Sequence, residues 1–319
     1  MMSRSWWMRM VLLLALCFAA PLLAQEEAKE PDLRVGVLLA ETLLPIYIAQ
    51  DAGYFAEEGV VIELVLYPSA QAARSAALAG ELDAFSAGIF SGMWLNDNGA
   101  DVRVVRHRQL KEASFALVAG PQSGLESVAD LAGARIGLAT NTLVQYTTDQ
   151  MLASVGMSAA EVEYVAAANI LERFQMLIKR EIDAATLPFP YIAIASEFFG
   201  APILIDDTGL PGTLAILVQA DVLAEKGDAV RAFLRGYERA VKASNADPQL
   251  FREVLKENVL VPPSFLMIPA ASAFETAGVP SEEEVADAVE WALAIGLIGE
   301  AQAYEEVVDG SFLPEMMGE

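Results

Sequence analysis

The chain has 319 residues, 55% of them hydrophobic and 20% charged, which supplies one large core or two smaller ones and argues against disorder. Its formal charge of −24 disfavours nucleic acid and anionic lipid as partners. A single histidine, His107, and a single cysteine, Cys17, exclude a histidine-rich metal site and Cys/His nucleophilic chemistry.

Residues 1–24 read as a targeting segment. Arg4 and Arg9 form a positive start, Val11–Ala20 an apolar stretch, and Ala24 a cleavage point before the polar Gln25-Glu26-Glu27. The apolar run is short for a membrane span, and no stop-transfer segment follows. Cleavage would remove Cys17 and leave a chain without disulfides or thiol chemistry. Acidic Glu26–Asp32 reads as a solvated leader.

The next stretch, Leu33 to Val65, reads as a β-α-β unit. Leu33–Leu39 is an apolar strand, about Leu43–Glu57 an amphipathic helix, Gly59 its stop, and about Val61–Leu66 a second strand. Such units build parallel sheets, with ligand sites beyond the carboxyl ends of the strands, here Ala40, Glu41 and Thr42. A helix over Ala70–Ala79 follows. Then come a strand over Asp83–Ser86, a helix over Ser91–Asn98 and a strand over Asp101–Arg106. Arg103, Arg106, Arg108 and Lys111 then cluster around His107. They either neutralise nearby acids or, if Arg106 or Arg108 faces a cleft, receive an anion.

The unit then returns about 100 residues later. Arg34-Val35-Gly36-Val37 matches Arg135-Ile136-Gly137-Leu138, and Leu82-Asp83-Ala84 matches Ile182-Asp183-Ala184. A period this long is not that of a solenoid repeat; it predicts two similar α/β lobes facing one another across a cleft. Lobe 1 takes residues 33–110 and 212–319, and lobe 2 takes 114–206. The crossings fall near Arg108–Ala113 and Asp206–Gly212, where Asp206 and Asp207 read as a solvated turn. In lobe 2, strands are predicted at Ser114–Ala119, Ile136–Ala139, Val162–Val165, Asp183–Leu187 and Pro202–Ile205. Helices are predicted at Leu143–Val155, Ile170–Lys179 and Tyr191–Phe199. Thr213–Ala220 is a strand back in lobe 1. Helices at Lys226–Ser244, Leu250–Glu257 and Glu282–Ile295 complete it, with Trp291 on a core stripe.

This order of features resembles the type 2 periplasmic solute-binding proteins of ABC importers. Within them it is similar to the branch that binds nitrate, sulfonates, taurine and thiamine-pyrimidine precursors. The likeness is carried by Pro45–Ala49 through Gly53–Gly59, by Leu78–Asp83 with Ser86-Ala87-Gly88, and by Gly124–Leu138. Ile182-Asp183-Ala184 with Pro188-Phe189-Pro190, and Glu290–Ile298 with Asp309–Pro314, extend it to nearly all of Leu33–Pro314. The resemblance implies two lobes on two hinge crossings that close around one small-molecule solute. It also implies an ABC permease and its ATPase as partners. Residues 1–24, as a cleavable signal peptide, predict a periplasmic or extracytoplasmic location, and a monomer with no cofactor is expected.

The ligand-binding candidates are Glu41, Thr42, Ser86, Asn141, Thr142, Tyr146 and Phe189. Thr42, Asn141 and Thr142 lie where strands meet helix N-termini and can contact a guest or cap a helix. Ser86 ends a strand at the rim, Tyr146 could stack on a ring, and Phe189 stands at another strand exit. Glu41 either faces the cleft or complements a helix dipole in solvent. A carboxylate in the cleft would repel an anion, so a neutral or cationic N-heterocycle, aminopyrimidine-like, is the favoured ligand. The alternatives are a sulfonate, taurine or nitrate type of anion, or a ligand sensor not tied to a permease. No Walker A loop, Gly-x-Gly-x-x-Gly loop or nucleophile elbow is present, so an enzyme is not expected.

Overall fold

The computed structural model describes residues 30–38, 44–108, 113–210, 212–247, 249–250, 274 and 277–314. The described residues from Pro31 onward form one compact unit. The targeting segment 1–24, Glu41, Thr42, Lys111 and the helix expected over 251–257 lie outside the described residues.

Two five-stranded sheets form two α/β lobes. Lobe 1 contains β1 (Leu33–Leu38), α1 (Leu44–Asp51), α2 (Tyr54–Glu57), β2 (Ile62–Tyr67), α3 (Ala70–Leu78), β3 (Ala84–Gly88), α4 (Ile89–Asp97) and β4 (Val102–Arg108). Lobe 2 contains β5 (Phe115–Ala119), β6 (Arg135–Leu138), α5 (Leu143–Ser154), β7 (Glu163–Ala166), α6 (Ile170–Ile178), β8 (Ala184–Pro188), α7 (Tyr191–Phe199) and β9 (Ile203–Asp206). The chain then returns to lobe 1 with β10 (Leu214–Gln219), α8 (Ala220–Glu225), α9 (Gly227–Ala246), α10 (Glu282–Ala294) and α11 (Tyr304–Val307).

The strand orders are β2-β1-β3-β10-β4 and β7-β6-β8-β5-β9. β1 runs parallel to β2 and β3, and β6 parallel to β7 and β8, as β-α-β units require. The sheets are not parallel throughout. β10 is antiparallel to β3 and β4, and β5 is antiparallel to β8 and β9. Both reversed strands follow a crossing from the other lobe, so no helical crossover dictates their direction.

The duplicated segments do the same structural work twice. Asp83 accepts the Arg34 N–H through its carboxylate at 2.7 Å and donates its own N–H to the Arg34 carbonyl at 3.0 Å. Asp183 and Arg135 repeat this at 2.8 and 2.9 Å. The helix expected over Leu43–Glu57 is two helices, because Gly53 adopts φ 75° between them, a conformation that strongly favours glycine. Their apolar faces pack under α9, where Phe55 stacks on Phe233 with centroids 5.2 Å apart. α10 starts with a capping box: Ser281 Oγ accepts the Glu284 N–H, and the Glu284 carboxylate accepts the Ser281 N–H.

The crossing is held more firmly than a solvated turn. Asp207 is half-buried, and its Oδ1 accepts the N–H groups of Ser114 and Phe115 at 2.7 and 3.0 Å. Burial pushes its carboxyl up to about 6. Asp206 does stay exposed, accepting the Thr208 N–H.

Candidate ligand-binding cleft

The carboxyl ends of β1, β3 and β8 and the first turns of several helices meet between the lobes around a cavity of about 60 Å³. Leu38, Ser86, Gly88 and Leu214 line it from lobe 1, and Phe115, Thr142, Leu143, Ile170, Arg173 and Pro188 from lobe 2. Its described wall is mainly apolar, with a few hydroxyls and one cation.

Helix starts give the cleft a positive bias. The N-cap of α3 is Ser69, whose Oγ accepts the Ala72 N–H. The N-cap of α5 is Thr142, whose Oγ1 accepts the Val144 N–H at 3.1 Å and donates to the Ala139 carbonyl at 2.7 Å. α6 is capped by Asn169. Residues of all three first turns line the cavity, so their dipole-positive ends lie beside it.

Among the described residues Arg173 is the one cation on the wall, and it is 1% exposed. Its Nε donates to the Thr186 carbonyl at 2.9 Å and its Nη1 to the Ala167 carbonyl at 2.6 Å. Among the described residues no carboxylate pairs with it, and none of the described lining residues is acidic. Burial pulls its guanidinium down to about 10, still charged at neutral pH. The sequence carried a signal for it: Ile170, Arg173 and Leu177 share one helical face, so a charged residue occupies a core-facing stripe.

The sequence-predicted residues divide. Ser86 and Thr142 line the cavity, and the Ser86 Oγ donates to the Ala215 carbonyl at 3.5 Å. Asn141 is exposed at φ 58°, with its N–H on Gln145 Oε1. Tyr146, expected as a stacking platform for a guest, is packed instead against Phe90 and Trp291, with centroids at 4.8 and 5.4 Å. Phe189 is partly buried against apolar clusters of both lobes, and its neighbour Pro188 takes the place on the wall. In the basic cluster, Arg103 pairs with Asp101, and buried Arg106 pairs with Glu238 and lies 4.4 Å over the Tyr237 ring. Neither lines the cavity.

The model of the NMT1/THI5-like family matches residues 41–250, which spans both lobes. The chain belongs to that family. No curated protein sequence matches it. Among solved structures, this NMT1/THI5-like chain is similar to the alkanesulfonate-binding protein SsuA from Xanthomonas axonopodis pv. citri bound to MOPS. The identity is 17%, the coverage 88% of this chain and 97% of that one, and the TM-score 0.74. The periplasmic aliphatic sulphonate binding protein SsuA from Escherichia coli matches at 16% identity over 90% and 94% of the two chains, with a TM-score of 0.75. The periplasmic nitrate-binding protein NrtA from Synechocystis PCC 6803 matches at 10% identity over 88% and 86%, with a TM-score of 0.72. At these identities the likeness is one of fold, that of the type 2 periplasmic binding proteins. Among the described residues no helix is long and apolar enough to cross a membrane.

Proposed function

We propose that the chain is the extracytoplasmic solute-binding component of an ABC import system, and that its solute is a small organic anion with an apolar body. Arg173 carries this reading. It has no carboxylate partner among the described residues, and an anionic guest offsets the cost of such a buried cation in a way a neutral or cationic guest does not. The helix N-termini add the same sign of potential, and the apolar wall suits a short hydrocarbon body. The aminopyrimidine preference rested on Glu41, which lies outside the described residues, so the sulfonate-type alternative is the better supported one. The relatives named for sulfonates and nitrate point the same way.

The cleft grips its guest and does not transform it. Ser86 and Thr142 direct their hydroxyls at backbone carbonyls, where they are poorly placed as nucleophiles. The permease and ATPase that the family resemblance implies would receive the loaded protein.

Calorimetric titration tests the ligand class with alkanesulfonates, taurine, nitrate and short carboxylates set against aminopyrimidines. The expected result is binding of an organic anion by the wild type and its loss in Arg173→Gln. Binding of an aminopyrimidine that survives Arg173→Gln would overturn the reading.

A further inference from the structure

We propose that α5 is the jaw that closes on lobe 1, and that a latch outside the cleft, Trp291 on Asp149 with Gln71 on Thr140, sets how much of the empty protein is closed. Trp291 on α10 of lobe 1 donates its indole N–H to Asp149 Oδ2 on α5 of lobe 2 at 2.8 Å. The other Asp149 oxygen accepts the Tyr164 hydroxyl at 2.5 Å from within lobe 2, which aims the carboxylate at its partner across the gap. Beside this bond, Trp291, Phe90 and Tyr146 form a three-ring contact with centroids 4.7 to 5.4 Å apart. Two of the rings belong to lobe 1 and one to α5.

A second grip holds the loop just before α5. Gln71 Nε2 donates to the Thr140 carbonyl at 3.1 Å. Arg74, steadied 4.2 Å over the Trp94 ring, reaches the Asn141 carbonyl at 3.5 Å. All these contacts fall on one segment of lobe 2, residues 140–149. Trp291, Asp149, Tyr146, Gln71 and Arg74 line no part of the cavity. They therefore have no direct claim on a guest and act through the closed population alone. Separating the lobes would wet three aromatic faces and strip Trp291 of its acceptor while Asp149 kept Tyr164, so the latch favours closure with the cleft empty. A guest that binds only the closed form gains apparent affinity in proportion to that population.

The test is small-angle scattering of the purified full chain, first empty and then with saturating ethanesulfonate. Trp291→Phe removes the donor and keeps a ring; Asp149→Ala removes the acceptor. Losing one such bond should shift the closed-to-open ratio about fivefold toward open, giving a larger radius of gyration than the empty wild type. Ethanesulfonate should return Trp291→Phe to the compact form with a dissociation constant weakened by up to about fivefold, which a folding defect would not do. Empty variants that scatter like the wild type would overturn the latch. The empty comparison needs no ligand, so a failure of ethanesulfonate to bind would count against the anion reading of the cleft, while the empty radii would still decide for or against the latch.

Discussion

Asp207 accepts the backbone N–H groups of Ser114 and Phe115, so one carboxylate ties the strand leaving lobe 2 to the strand entering it. Burial raises its pKa from 3.8 to about 6. A raised folded-state value means the folded chain holds the proton more tightly than the unfolded one. The site therefore favours folding fully below about pH 4 and loses that contribution as pH rises through about 6, a cost on the order of 3 kcal/mol at neutral pH. Asp207→Asn keeps an acceptor for both N–H groups and removes the charge. The melting temperature of Asp207→Asn relative to wild type should climb between pH 4 and pH 8. A difference that stays flat across that range would show that Asp207 does not titrate there.

Gly88 faces Leu143 across the cleft. A Cβ on Gly88 would stand 2.6 Å from the Leu143 Cβ, an atom with no flexible end to swing aside. Gly88 has φ −67°, so alanine strains nothing in its own backbone. Gly88→Ala should wedge the lobes apart, weakening ligand binding at least about tenfold, the order that one to two kcal/mol of overpacking gives. Adding Leu143→Ala should restore much of the loss. Calorimetry on the single and double variants checks this, and the absence of rescue would place the effect elsewhere.

The duplication was legible because the same physical demand recurs. Gly36 and Gly137 each leave room for an aliphatic side chain, Leu82 and Ile182, at the point where β1 pairs with β3 and β6 pairs with β8. A methyl at either glycine meets that side chain in a fully packed layer. Gly137→Ala should destabilise the chain by about 1–3 kcal/mol in urea unfolding, and Ile182→Val should recover part of it. The reversed senses of β5 and β10 were not legible. They follow from where each crossing delivers the chain, which no periodicity of five or six residues encodes.

The cleft was only half legible, for a related reason. Strand ends and helix caps announce themselves locally, and Ser86 and Thr142 both line the wall. Tyr146 on the first turn of α5 and Phe189 at the exit of β8 also stand near the cleft, but both rings pack between the lobes, and only tertiary contacts distinguish the two uses. Arg173 is a weaker signal in the sequence than the run from Arg103 to Lys111, because a single charge inside an apolar stripe reads as part of the stripe. Of that run, Arg103 and Arg106 are engaged by acids.

Arg173 makes a sharper demand on chemistry than on charge. Its Nε and Nη1 serve two carbonyls on different segments, Thr186 and Ala167, while the residue also lines the cleft. A lysine ammonium is a single point and cannot span that fork, so at least one buried carbonyl loses its donor, at about 1–3 kcal/mol. A lysine at this depth also sheds its proton far more readily than arginine, because desolvation opposes the charged form of a much weaker base. Arg173→Lys should therefore bind the organic anion at least about tenfold more weakly at pH 6, and more weakly still as the pH approaches 9. Wild type should hold its affinity over the same range, since its guanidinium titrates only near 10. Calorimetric titrations at pH 6, 7.5 and 9 separate the two. A lysine variant whose affinity is flat with pH would mean that the guest's charge is met by another group.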